Sequence, residues 1–180
     1  MVYVFLAKGF EEVEALTPVD FLRRAGIEVT TVGVGGEYIE GAHNITVKAD
    51  VTDAAVSLED GDIEMVVLPG GMPGTLNLKA SETVNAFIDK AAEDGAFIAA
   101  ICAAPSILGE KGLLKGRMAV CYPGFEDKLA GATVFSAGVI CDGNIITANA
   151  AGAAVDFAAQ LISALKGDSA AEAVLQAVIA

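Results

Sequence analysis

Histidine is almost missing from this 180-residue chain: His43 is the only one. Any Cys/His or Ser/His catalytic pair would have to use it. Tryptophan is absent and aromatics make up 6% of the chain, so the 54% apolar content comes mainly from small and aliphatic side chains. Such residues suit a sheet buried on both faces beneath close-packed helices. Basic residues are also scarce: 11 Lys and Arg stand against 24 Asp and Glu, for a net charge of −13. Neutralising a phosphate backbone needs clustered Lys and Arg, so no nucleic-acid partner is expected. Cysteine is limited to Cys102, Cys121 and Cys141, an odd number at spacings that match no zinc pattern. Free thiols and no metal are expected. Long apolar runs are missing too. The segment Met1–Leu6 is apolar, but Lys8-Gly9 ends it well short of a membrane span. It lacks a basic n-region and a cleavage pattern. It reads as a first strand, with no membrane partner and a cytoplasmic location expected. Neither Gly-x-Gly-x-x-Gly nor a P-loop occurs, and no cofactor is expected.

What is present is an alternation of buried strands and amphipathic helices. Strands are predicted at residues 2–6, 27–34, 63–68, 96–101 and 117–121, with short strands at 133–135, 139–141 and 145–147 around an Asp142-Gly143 turn. Residues 38–51 read as a hairpin or extended arm around Gly41-Ala42-His43-Asn44, and 57–62 as a loop or a short helical turn. Helices are predicted over residues 11–25, 81–93 with Ser81 as N-cap, 152–166 and 169–180. Pro18 implies either a kink in the first helix or a second start with Thr17 as N-cap. The alternation implies a mostly parallel sheet with helices on both faces. No linker, repeat or composition break divides residues 1–180, so one domain is expected.

The centre of this pattern is Ala96–Leu108, where a short strand runs into Cys102, small residues, Pro105 and a new helix. Open α/β sheets place their ligand sites at strand carboxyl ends. A helix amino end favours a thiolate. Cys102 is therefore either a reactive thiol or one more buried small residue, the usual fate of a free cysteine. Two further turns fall on the same predicted edge. Gly70-Gly71 offers backbone N–H groups for an oxyanion, together with that of Ala103. In the Ala7–Glu14 turn, Glu11 and Glu12 read as a solvated first turn. Glu14 either joins them or points inward; beside Cys102 its pKa would rise and it could donate a hydrogen bond to sulfur.

Four segments carry a resemblance: Leu6–Glu14, Thr17–Gly26, Leu68–Gly71 and Ile98–Pro105. In this order they closely resemble the ThiJ/PfpI family, most nearly its protein-deglycase branch, over nearly the whole chain. The resemblance implies a flavodoxin-like three-layer α/β/α sandwich of the class I glutamine amidotransferase type, assembled as a homodimer. It implies that Cys102 is the nucleophile-elbow cysteine, Glu14 its buried carboxyl partner, and Gly71 and Ala103 the backbone donors. Arg24 matches an arginine near the dimer interface that faces the neighbouring site. Family activities include glutathione-independent glyoxalase (methylglyoxal to lactate), protein deglycase, redox sensing and holdase chaperone; the implied partner is a small carbonyl substrate. Two departures stand out. Ala103 replaces the histidine that follows the cysteine in the protease-like branch, which argues against peptidase activity. Tyr122 replaces a site histidine, and His43, in the variable arm, reads as a surface residue.

Overall fold

The computed structural model describes residues 1–179. Its elements, in chain order, are β1 (Val2–Leu6), α1 (Glu12–Arg24), β2 (Val29–Gly33), β3 (Tyr38–Glu40), β4 (Thr46–Lys48), β5 (Val51–Thr52), β6 (Met65–Leu68), α2 (Gly74–Ala80), α3 (Glu82–Asp94), β7 (Phe97–Ile101), α4 (Pro105–Glu110), β8 (Met118–Ala119), β9 (Thr133–Val134), β10 (Val139–Asp142), β11 (Ile145–Ala148), α5 (Ala154–Lys166) and α6 (Asp168–Val178). Seven strands form the main sheet, in the order β10-β11-β7-β6-β1-β2-β5. All neighbours in it are parallel except β10 with β11, a hairpin whose turn is Gly143-Asn144, one residue later than expected, since Asp142 still pairs with Ile145.

The alternation along β1 explains the layers. Val2, Val4 and Leu6 face a core with Phe21, Leu22, Phe157 and Leu161, so α1, α5 and α6 cover that side. Tyr3 and Phe5 face the other, packing on Leu78, Phe87, Ile88, Ile107 and Leu108 of α2, α3 and α4. Every residue of β1 is buried, as a central parallel strand requires. This is the flavodoxin-like sandwich expected.

Several boundaries differ from the sequence reading. The first helix runs unbroken through Pro18, which removes only the N–H that would have bonded the Glu14 carbonyl. Helix α2 was not expected: Gly74 opens it and its Leu and Asn residues give too short a pattern to separate from the preceding turn. The predicted strand at 117–121 shrinks to β8, which pairs with β9 outside the main sheet. The arm at 38–51 contains the β3–β4 hairpin, followed by β5 at the sheet edge. Ser81 does cap α3, its hydroxyl accepting the Val84 N–H at 3.3 Å. The last helix was carried to Ala180, which lies outside the described residues.

Chain reversal at β1 places the site. From β1 the chain moves to β2 on one side, and later returns through β6 to β7 on the other. The crevice between the β1 and β6 carboxyl ends is the topological switch point, where open α/β sheets bind ligands.

Phe87 carries much of the second core, edge-on to both Tyr3 and Phe5 with ring centroids 4.9 and 5.3 Å away. Phe87→Ala should cost about 3–5 kcal/mol of unfolding free energy in a denaturant titration. A loss under about 1 kcal/mol would mean that α3 is not anchored there.

Candidate active site

Three strand-end turns meet at the switch point and are laced by their own backbones. The Glu11 N–H donates to the Gly70 carbonyl at 3.0 Å, and the Gly74 N–H to the Gly9 carbonyl at 3.2 Å. Cys102 follows β7 directly, in the left-handed region at φ +64°. A non-glycine residue there is strained by roughly 1–2 kcal/mol. Its backbone is fixed on both sides: its N–H donates to the Ala148 carbonyl at 2.9 Å, and its carbonyl accepts the Tyr122 N–H at 2.8 Å. The strained turn lifts a half-buried thiol out of the strand, toward the first turn of α1.

Glu14 is the group it meets. The residue is 1% exposed, its Oε2 accepts the Gly70 N–H at 2.9 Å, and its carboxyl hydrogen-bonds the Cys102 thiol. The N–H groups of Gly71 and Ala103 are directed at the same sulfur. Gly70 has no space for a side chain: a Cβ there would lie 2.6 Å from both the Cys102 Cβ and Glu14 Oε2. Its neighbour Gly71 is required for a different reason, its φ of +90°. The sequence reading offered both N–H groups of this pair to an oxyanion; the Gly70 N–H is taken by Glu14, and that of Gly71 faces the sulfur.

Burial pushes the Glu14 carboxyl up to about 7, against the opposing hydrogen bonds from Cys102 and Gly70. Burial also pushes the Cys102 thiol up, to about 12, helped by the charge of Glu14 and opposed by the Gly71 and Ala103 N–H groups. Helix α4 begins only at Pro105 and spans six residues, so its dipole acts on the sulfur against burial and the charge of Glu14. The site holds a thiol and a carboxyl that share the removal of one proton.

The other named residues divide. Tyr122 stands beside the Cys102 carbonyl with its side chain 46% exposed. Arg24 lies ten residues beyond Glu14 on α1, about 15 Å along the axis, and its Nε donates to Asp20 at 2.6 Å; it is not at Cys102 of its own chain. Cys121 is buried and Cys141 exposed. Glu12 was read as solvated, yet it is 5% exposed. Its carboxylate accepts the His43 N–H at 2.8 Å, meets His43 Nδ1 at 2.9 Å, and pins the hairpin tip to α1. These bonds hold Glu12 below its ordinary value despite burial and raise His43. Among the described residues, Glu11, Glu12 and His43 are the one group whose metal-ligating atoms converge, within 4.8 Å. No described helix is long and apolar enough to cross a membrane.

A buried carboxyl whose folded pKa lies above its unfolded value of 4.5 contributes stability below pH 4.5, and that contribution is lost as pH rises to about 7. Two and a half units correspond to about 3 kcal/mol. Glu14→Gln keeps an acceptor for the Gly70 N–H and cannot ionise. Its unfolding free energy, relative to the natural protein, should rise by up to about 3 kcal/mol between pH 4.5 and about 8. A constant difference across that range would show that Glu14 titrates normally.

The chain matches the model of the DJ-1/PfpI family over residues 1–164. It is 37% identical over 172 residues to the Parkinson disease protein 7 homolog of Danio rerio, covering 91% of this chain and 88% of the relative. It is 32% identical over 170 residues to a deglycase of Pyrococcus abyssi, covering 92% of this chain and 99% of that one. To Protein DJ-1 homolog B of Arabidopsis thaliana it is 36% identical over 169 residues, covering 92% of this chain but only 38% of that longer relative. Solved structures share its fold. A DJ-1 superfamily protein of Salmonella typhimurium superposes with a TM-score of 0.92 at 35% identity, over 99% of this chain and 97% of that one. Oxidized DJ-1 of Toxoplasma gondii does so with a TM-score of 0.93 at 33% identity, over 99% and 97%. With these four motifs, this fold and these relatives, the chain belongs to the DJ-1/PfpI family.

Proposed function

We propose that the protein converts small 2-oxoaldehydes to 2-hydroxy acids through Cys102 and Glu14, as a glutathione-independent glyoxalase or a deglycase. The observation that supports this most is a single sulfur approached by a buried carboxyl and by two backbone N–H groups. The ionised Glu14 carboxylate takes the thiol proton as the sulfur attacks the aldehyde carbon. The S–C bond forms, the carbonyl π pair moves to oxygen, and the Gly71 and Ala103 N–H groups stabilise that charge. Glu14 passes the proton it took to that oxygen, which gives a hemithioacetal and restores the carboxylate. Glu14 then removes the proton on the former aldehyde carbon, and a proton returns to the neighbouring carbon. The aldehyde carbon is oxidised to a thioester and the ketone carbon reduced to an alcohol, so no external redox partner enters. Water cleaves the thioester, releases the hydroxy acid and restores the thiol. Glu14 suits the role because its pKa lies near neutrality.

A second reading uses the same atoms. Peroxide would oxidise Cys102 to the sulfinate, which the Glu14 carboxyl and the two N–H groups would hold. The oxidized Toxoplasma gondii relative supports it. In a homodimer, Arg24 would act at the neighbouring site and not at its own. A cytoplasmic stress-response role accommodates both readings.

Methylglyoxal loss with matching lactate formation tests the enzyme. Cys102→Ser should lower the rate at least 100-fold, and Glu14→Gln at least 10-fold. Equal rates in the natural protein and Cys102→Ser would overturn the reading. If neither turns over while mild peroxide adds two oxygens to Cys102 alone, the sensor reading stands instead.

A further inference from the structure

A cleft lies on the β11 side of the Cys102 turn, away from β6. Its volume is about 330 Å³, at the lower end of pockets that hold small organic ligands, roughly 300–1,000 Å³. That exceeds what a three-carbon aldehyde fills. Its walls are tied to the cysteine through two short links. Cys121 lines it and precedes Tyr122, whose N–H holds the Cys102 carbonyl; Asn149 lines it and follows Ala148, whose carbonyl holds the Cys102 N–H. The same two backbone bonds that fix the strained cysteine therefore tie two wall segments of the cleft to it.

The lining has a definite chemical character. Glu126 is its one charged side chain. One Glu126 oxygen accepts the Gly124 N–H at 2.8 Å, and no basic side chain pairs with Glu126 among the described residues. Phe135, 47% exposed, adds an aromatic surface. Ser136 and Asn149 add neutral hydrogen-bonding groups. A carboxylate beside an aromatic surface is the combination that recognises an ammonium or guanidinium group. The chain's net charge of −13 adds a long-range bias of the same sign.

We propose that this cleft gives the Cys102 site a charge preference: it selects carbonyl compounds that carry a positively charged group, and Glu126 is the specificity-determining residue. The inference rests on the proposed Cys102 chemistry, since the carbonyl end sits at the sulfur while the cationic end occupies the cleft. Compounds with a carboxylate in that position are repelled. The preference weakens as salt rises, because the cleft is open to solvent.

The test compares two probe series in the natural protein, Glu126→Gln and Glu126→Lys. Glutamine still accepts the Gly124 N–H, so the turn is kept. In the first series, kcat/KM is measured for a 2-oxoaldehyde bearing a trimethylammonium group and for one bearing a carboxylate, each normalised to methylglyoxal. In the second, Cys102 is labelled by cationic and by anionic methanethiosulfonate reagents, with the label located by peptide mass spectrometry. The cation-to-anion ratio should fall about tenfold in Glu126→Gln, and further in Glu126→Lys. Asp127→Asn, next in sequence but not lining the cleft, should leave it within about twofold. Loss of all turnover in the natural protein would sink the enzyme reading, and the labelling ratio would still decide the charge preference. A labelling ratio unchanged by both Glu126 variants would overturn this proposal, whatever the turnover.

Discussion

One buried carboxyl governs this site. Glu14 sits at the start of α1 with almost no exposed surface, where an isolated carboxylate is costly. The structure answers that cost with the Gly70 N–H and the Cys102 thiol, and the residual imbalance raises the pKa toward neutrality. Both neighbours must come close for this to work. Gly70 manages it by having no side chain, and Cys102 by adopting a backbone conformation that L-residues avoid. The strain at Cys102 and the double glycine are two consequences of bringing one thiol against one carboxyl.

The sheet supplies what makes that arrangement durable. The ends of β11 and of the segment before Tyr122 clamp the cysteine backbone, while β6 delivers the glycine pair and β1 leads into Glu14. Four separate parts of the chain thus hold two side chains. The parallel order of β6, β7 and β11 puts their carboxyl ends on one edge, so the alternation of strands and helices decides where chemistry takes place.

Much of this was legible in the sequence, for identifiable reasons. Fully apolar strands such as Val2–Leu6 and the amphipathic run after Ser81 have strong periodicity, so the layers could be read directly. Cys102, Gly71, Ala103 and Glu14 fall at strand ends that a parallel sheet must gather, and the family resemblance implied roles for them. The rest depends on contacts that sequence does not encode locally. Glu12 looks like any first-turn acid until the hairpin tip folds over it and its N–H groups and His43 claim the carboxylate. Gly70 looks interchangeable with Gly71 until its lack of space is seen. Helix α2 is short and opens on glycine, which hides it within a turn. A nearby helix start favours a thiolate while burial and the charge of Glu14 oppose it, a balance that depends on the folded surroundings.

The coupling of the two groups can be measured at the sulfur itself. Alkylation of Cys102 by iodoacetamide, located by peptide mass spectrometry, reports as a function of pH how readily the sulfur gives up its proton, to solvent or to the Glu14 carboxylate. In the natural protein the rate should rise with an apparent pKa near 7, where the pair loses its first proton. In Glu14→Gln that inflection should vanish, leaving a rise only above the ordinary cysteine value of 9.0, because burial still opposes the thiolate. Identical pH profiles in the two proteins would contradict a shared proton and, with it, the account of this site.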